Sequence, residues 1–250
     1  MQYRHFSSHP LMHLRYSDKC FNLLDMKPSN MDELNEVITV ARFHKSDCNK
    51  LLYSTSKGII KLADTRASAL CDKQAKFFGD HDSEVGKSFF SEIVSSISDT
   101  DFDPTGRYII SRDYLSIKVW DINMDSEPVY KYEINQNLKS ILCDLYETDS
   151  IFDKFDLCVS SKGDTIATGG YDGHFYLSNL DGSKLFKTKL RTEVLTSVSA
   201  ESKVNKNTKD APTPVDINRK VLHCAYHPYE DTIAVSENAG LYLYKVVPEL

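Results

Sequence analysis

The sequence predicts an all-β fold assembled from repeated small sheets, on three observations. Short β-branched or aromatic runs recur along the 250 residues, bounded by Gly, Asp, Asn and Ser, and no segment carries a long, clean 3.6-residue periodicity. Four segments (41–64, 100–121, 156–179 and 223–246) share one order of apolar strand, polar turn, small-residue strand, turn and apolar strand. The residues that end the first strand of each, Phe43, Phe102, Val159 and Tyr226, follow one another at 59, 57 and 67 positions. Repetition at a near-constant period points to a radial or stacked architecture.

In chain order, residues 1–10 match no repeat; the opening stretch is basic and free of acids, a faint transit-peptide composition without the apolar centre of a secretory signal. LMHL (11–14) reads as the last strand of a preceding unit and FNLLD (21–25) as an outer strand. MDELNEV (31–37) fits about two helical turns. The first triple follows, then AKFF (75–78) as the next outer strand. The second triple contains Asp-Pro-Thr-Gly, where Pro104 fixes φ and Gly106 permits a positive one, the chemistry of a tight turn. PVYKYEI (128–134) and KLFKTKL (184–190) supply two more outer strands, and GGYDG (169–173) is a hairpin turn within the third triple. The stretch 196–214 is rich in Ser, Lys and Thr with almost no large apolar residue, so it is expected to be a disordered insert before the last triple.

Four outer strands and four triples make about four four-stranded blades, a β-propeller. The second triple ends in Trp120-Asp121, the only tryptophan of the chain followed at once by an acid, which is the strand ending of a WD repeat. The other triples end in Ala63-Asp64, Ser178-Asn179 and Lys245-Val246, so the copies are degenerate. They are also longer than the plain repeat of about 40–45 residues, which loop insertions allow.

Composition narrows the function classes. With 30 basic and 36 acidic residues the net charge is −6, which disfavours nucleic acid and suits a basic partner. No apolar run approaches the length of a membrane span. The six cysteines include no C-x-x-C pair, and they read as free, mostly buried thiols of a reducing compartment, with neither a disulfide framework nor a metal site. No Gly-rich phosphate loop, H-E-x-x-H or G-x-S-x-G occurs, so no enzyme and no cofactor are expected. His223 and His227 lie four apart but flank a strand end, a structural position; His5, His9 and His13 belong to the terminus.

Two segments carry binding chemistry. NMDELNE (30–36) places Asp32, Glu33 and Glu36 around Leu34, and LYETDSIFDKF (145–155) mixes Tyr146, Phe152 and Phe155 with Glu147, Asp149, Asp153 and Lys154. Both connect an outer strand to the next inner strand, which puts them on one rim, where acids and aromatics suit docking of a basic, partly apolar peptide or helix. The competing reading is a solvated connection with an aromatic tucked beneath it.

LDMKPSNMDELNEVITVARFH, SKGIIKLADTRASALCD, SFFSEIVSSISD, GRYIISRDYLSIKVWDINM and LYETDSIFDKF, in this order, resemble the B-type, fifty-five-kilodalton regulatory subunit of protein phosphatase 2A, from about Leu11 to the C-terminus. The resemblance implies a seven-bladed WD-repeat propeller of which 11–250 is the C-terminal part, without the first three or so blades and the hairpin arm that grips the scaffold. It implies a non-catalytic subunit that joins the phosphatase scaffold and catalytic subunits in a heterotrimer and presents phosphoprotein substrates with basic docking segments, in the cytoplasm and also the nucleus. Carried over by matching positions, the docking groove comprises Asp32, Glu33, Leu34, Tyr146, Glu147, Asp149, Phe152 and Lys154. The chain departs from the pattern at Thr148, where relatives have Asn, and at Met12, where a Trp is expected. An open arc of blades is expected rather than a closed ring, which would need the last strand to pair with FNLLD. The alternative function is a generic WD-repeat interaction scaffold, such as a ubiquitin-ligase adaptor; a propeller enzyme ranks third.

Overall fold

The structure, a computed structural model, describes residues 30–67, 74–79, 89–190 and 215–246. Fifteen strands form four antiparallel sheets among them. The first sheet is β1 (Ile38–Phe43), β2 (Lys50–Thr55), β3 (Ile60–Asp64) and β4 (Lys76–Phe78). The second is β5 (Asp99–Phe102), β6 (Tyr108–Arg112), β7 (Ser116–Asp121) and β8 (Tyr130–Glu133). The third is β9 (Leu157–Val159), β10 (Thr165–Gly169), β11 (His174–Asn179) and β12 (Leu185–Lys189). The fourth has three strands among the described residues, β13 (Cys224–Tyr226), β14 (Thr232–Glu237) and β15 (Gly240–Lys245). Each sheet pairs its strands in chain order, the simple meander of a propeller blade.

The four anchor residues Phe43, Phe102, Val159 and Tyr226 each end the first strand of a blade. The expected outer strands at 75–78, 128–134 and 184–190 form, and each pairs with the triple before it: β4 on β3, β8 on β7 and β12 on β11. FNLLD, LMHL, the segment 1–10 and the insert 196–214 lie outside the described residues. Among the described residues no strand of the last sheet pairs with the first, so the four blades are not closed by a shared sheet.

A repeat feature invisible in the residue types appears at the first turn of every blade. The residue after each anchor uses its side chain to accept backbone N–H groups of the turn. His44 Nδ1 accepts from Ser46 N and Asp47 N (3.2 and 3.1 Å). Asp103 accepts from Thr105 N and Tyr108 N (3.0 and 2.8 Å). Ser160 Oγ accepts from Asp164 N and Thr165 N (3.2 Å each). His227 Nδ1 accepts from Tyr229 N and Glu230 N (3.3 and 3.0 Å). Imidazole, carboxylate and hydroxyl share one property here, a short-reach acceptor, so three residue types perform one task. These turns also touch one another from blade to blade. Gly106 has φ 75° and lies under the His44 ring, where a Cβ would come within 2.0 Å of Nε2, and Lys162 Nζ reaches Asp231 at 2.6 Å.

Strand alternation divides the core between neighbouring blades. In the second blade Ile109 and Trp120 face the first, packing with Leu52, Ile60, Phe78, Ile97 and Phe102. Ile110, Ile117, Val119 and Tyr132 face the third, meeting Leu157, Ile166 and Tyr176. In the third blade Ala167 and Phe175 face the fourth, packing with Val221, Ile233 and Val235. The inner sheets are therefore apolar on both faces, and each fully buried aliphatic side chain stabilises by about 1.5–3 kcal/mol. Trp120 fits its expected place: it is buried, its Nε1–H donates to Ser111 Oγ at 3.1 Å, and its ring meets Phe78 edge-on. Leu115 is only half-buried.

Three expectations are corrected. MDELNEV forms a single 3-10 turn, Met31–Glu33, because β1 claims the residues after Val37. LYETDSIFDKF, read as a loop, contains the end of an α-helix and a 3-10 turn. Of the four cysteines among the described residues, Cys48 and Cys143 are exposed, so the thiols are not mostly buried.

Candidate functional site

The connections from one outer strand to the next inner strand carry the helical elements. Helix α1 (Phe89–Ser95) lies between β4 and β5. Helix α2 (Leu142–Glu147), preceded by a 3-10 helix at Gln136–Ile141 and followed by one at Ser150–Phe152, lies between β8 and β9. The Met31–Glu33 turn precedes β1. Helices α1 and α2 belong to the same class of connection, and α1, Asn35 and Phe152 meet on one rim.

Local chemistry fixes these turns. Asn135 (φ 55°) and Asp149 (φ 58°) take the left-handed conformation that ends one helical path and starts another, which Asn and Asp tolerate better than other side chains. Asp149 N donates to Tyr146 O at 3.1 Å and Thr148 Oγ1 donates to Asp144 O at 3.0 Å, closing α2. At the first loop Asn30 holds the turn, its Oδ1 accepting from Asp32 N at 3.2 Å and its carbonyl from Glu33 N at 3.0 Å.

A common apolar base lies under the rim. Tyr114, Leu138, Leu145, Ile151, Phe155 and Tyr171 are buried together, and Phe90, Ile93 and Val94 of α1 pack on them. Phe155 is thus the tucked aromatic of the competing reading. Within this base the Tyr114 and Tyr171 hydroxyls lie 2.8 Å apart, Tyr171 donates to Asp153 Oδ2 at 2.6 Å, and Lys220 Nζ reaches the same oxygen at 2.7 Å. Burial pushes the Tyr114 hydroxyl up to about 12 and that of Tyr171 further still, so both are neutral donors at neutral pH. The guanidinium of Arg112 is buried over the Phe155 ring at 5.3 Å; burial lowers it to about 10, so it stays charged.

Above the base, large apolar groups face solvent: Phe89 is 63% exposed, Phe152 54%, Leu34 41% and Tyr146 40%. Their aromatic rings touch. Tyr146 meets Phe89 at 5.3 Å, Phe90 at 6.0 Å and Phe152 at 5.9 Å between centroids. Beside them runs a groove of about 440 Å³, bounded by Asn35, α1 and Phe152–Lys154, with Tyr114 at its floor. Asp32, Glu33, Glu92, Asp144, Glu147 and Asp149 are exposed, and none forms an ion pair among the described residues, so this rim is acidic.

The expected residues thus separate into groups. Phe152 and Lys154 border the groove; Tyr146 sits in the aromatic cluster; Glu147 and Asp149 are exposed on the same connection. Asp32, Glu33 and Leu34 are exposed next to Asn35, which lines the groove, without touching it themselves. Sequence reasoning missed Phe89, Phe90 and Glu92. The signal was there in SFFSEIV, whose Phe89/Phe90 and Ile93/Val94 pairs recur at helical spacing, although the segment is only two turns long. His223 and His227 do not form a ligand pair: His223 Nδ1 contacts Asp156 Oδ2 at 2.8 Å, and His227 holds its turn. Among the described residues no three His, Cys, Asp or Glu side chains gather as a metal site.

No family model matches the sequence. Among solved structures the chain is similar to Raptor of Chaetomium thermophilum, with 14% identity and a TM-score of 0.56 over 86% of this chain and 16% of that one. It is also similar to the β-propeller domain of Cps50 (Swd1) of Myceliophteria thermophila, with 11% identity and a TM-score of 0.54 over 91% of this chain and 59% of that one. At these identities the likeness establishes the fold, a β-propeller, and the chain spans less than two thirds of either protein.

Proposed function

We propose that this chain is a non-catalytic protein-interaction propeller and, more specifically, a regulatory subunit of a type 2A protein serine/threonine phosphatase that docks substrates on its helical rim. The observation that carries the reading is the ring cluster of Phe89, Phe90, Tyr146 and Phe152, three of them exposed, beside a groove on a rim rich in carboxylates. Exposed aromatics in contact with one another offer a rigid apolar surface at small entropic cost, the usual form of a binding hot spot. Unpaired carboxylates around it raise the encounter rate of a basic segment and orient it. The five ordered segments that resemble the B-type regulatory subunit support the phosphatase assignment, and of the residues carried over by that resemblance Phe152 and Lys154 border the groove. In this role the chain moves no bond. It holds a phosphoprotein by the basic and apolar flank of its phosphosite, while a separate catalytic subunit performs hydrolysis.

Affinity purification of the tagged full chain from cell extract tests the assignment. Recovery of the phosphatase scaffold and catalytic subunits supports it; a stable, folded bait that recovers neither overturns it. Docking is tested separately with a labelled Arg- and Leu-rich peptide. Leu34→Ala and Asp32→Lys are each expected to weaken binding with the fold intact, and unchanged affinity in both removes the first loop from the docking surface.

A further inference from the structure

The innermost strands of the third and fourth blades carry one cysteine each, at places that face one another. Cys158 is the middle residue of β9 and Cys224 the first of β13, and their Sγ atoms stand 3.4 Å apart. The two sulfurs are already in contact, on strands packed as neighbours, so the path to a bond length of about 2.05 Å is short. We propose that Cys158 and Cys224 are an oxidisable pair, a modification site at which a peroxide-class oxidant joins the third blade to the fourth through a disulfide.

The two thiols have different surroundings, which sets the order of events. Cys158 is partly exposed and points its S–H at the Cys224 sulfur. Cys224 is partly buried as well, its Sγ 3.5 Å from the Ala167 carbonyl oxygen and 3.7 Å from that of Asp156. The Cys158 thiol and burial raise Cys224, which leaves it the poorer thiolate, so Cys158 reacts first. Its sulfur attacks one peroxide oxygen, the O–O bond breaks, and the products are the Cys158 sulfenic acid and one water. The Cys224 sulfur then attacks the Cys158 sulfur; the S–O bond breaks and hydroxide leaves, taking up the Cys224 proton as a second water. Two thiols have lost two electrons and two protons, and the peroxide has become two waters. The neighbouring Cys158 thiol and burial both push the Cys224 thiol up, which slows the second step at neutral pH.

The bond would act where the fold needs it. The fourth blade has three strands among the described residues, and the outward face of β15 leaves Leu241 71% and Leu243 67% exposed. Among the described residues it holds to the third blade by their shared apolar face, the contact of inner strands and the Lys162–Asp231 pair. A cross-link spanning 66 positions at that contact restricts separation of the last blade and the unfolded chain alike.

The test uses the full chain, reduced and then given graded hydrogen peroxide under native conditions, alkylated and digested with trypsin without reduction. Cleavage after Lys154, Lys162, Lys220 and Lys245 isolates peptides 155–162 and 221–245. The expected result is one linked species of these two, formed within a monomer, absent in Cys224→Ser, where Cys158 instead accumulates as a dimedone-reactive sulfenic acid. The exposed Cys48 and Cys143 serve as internal references for oxidant exposure. Recovery of Cys158 and Cys224 as free thiols while Cys48 and Cys143 are oxidised overturns the proposal, as does pairing of either with another cysteine. Equal formation of the same link in urea also overturns it, since the native juxtaposition would then contribute nothing; this comparison needs no variant.

Discussion

The ring of Phe89 meets that of Tyr146 edge-on, with centroids 5.3 Å apart and planes at 79°. The two residues belong to helices in successive inter-blade connections, so this contact joins what the first and second blades contribute to the rim. An edge-to-face pair is worth about 0.5–1.5 kcal/mol beyond burial, and here both rings remain open to a partner.

Phe89→Ala and Tyr146→Ala are each expected to weaken binding of the Arg- and Leu-rich peptide about tenfold, or about 1.4 kcal/mol. The melting temperature should change little, because both rings are exposed. A double-mutant cycle read by fluorescence anisotropy should give a non-zero coupling; strictly additive losses would mean that the two rings bind independently.

Trp120 sits at the contact of the first two blades, and Trp120→Ala is expected to cost about 3–5 kcal/mol in urea unfolding followed by circular dichroism. Trp120→Phe should cost less, since it retains an aromatic ring against Phe78 and loses the bond to Ser111. The wild-type chain offers a second readout. Its only tryptophan is buried, so its emission should shift to longer wavelength on unfolding.

Gly169 ends β10 against the segment leading into β13. A Cβ there would fall 1.8 Å from the Val221 carbonyl oxygen, a backbone atom that cannot rotate away. Gly169→Ala should therefore part the third and fourth blades and cost about 3 kcal/mol. Hydrogen exchange should show the loss concentrated in β13–β15; uniform loosening of all four blades would contradict this placement.

His174 gives a pH dependence whose sign is fixed. Burial, with a smaller contribution from Lys187, lowers its imidazole below the ordinary value of 6.5, while Asp172 opposes the shift. Between the folded value and 6.5 the unfolded chain binds more protons, so stability conferred by neutral His174 is full above 6.5 and lost as the pH falls through that window. His174→Gln should flatten the fall of the urea midpoint between pH 7 and pH 5. An unchanged slope would assign the acid sensitivity to other groups.

Much of the fold was legible because it depends on pattern. Apolar alternation, turn residues and the anchors from Phe43 to Tyr226 mark the first strand of each blade. The rim was legible as far as its segments and their sidedness. Its helices were not, since α1 and α2 are too short for periodicity to stand out and are held by packing on Tyr114, Phe155 and Tyr171 from other connections. The equivalence of His44, Asp103, Ser160 and His227 was hidden because it resides in a shared hydrogen-bonding role, not in a residue type.

By itself the sequence determined the class of fold and the four-fold repeat, both consequences of local periodicity and strand polarity. Only the tertiary structure decided which side chains meet. It assigned each outer strand to the triple before it, brought Phe89 to Tyr146, and set Cys158 against Cys224. Those pairs are separated by 57 and 66 positions and join different blades. No local propensity encodes such a distance; it is set when apolar sheet faces stack and exclude water.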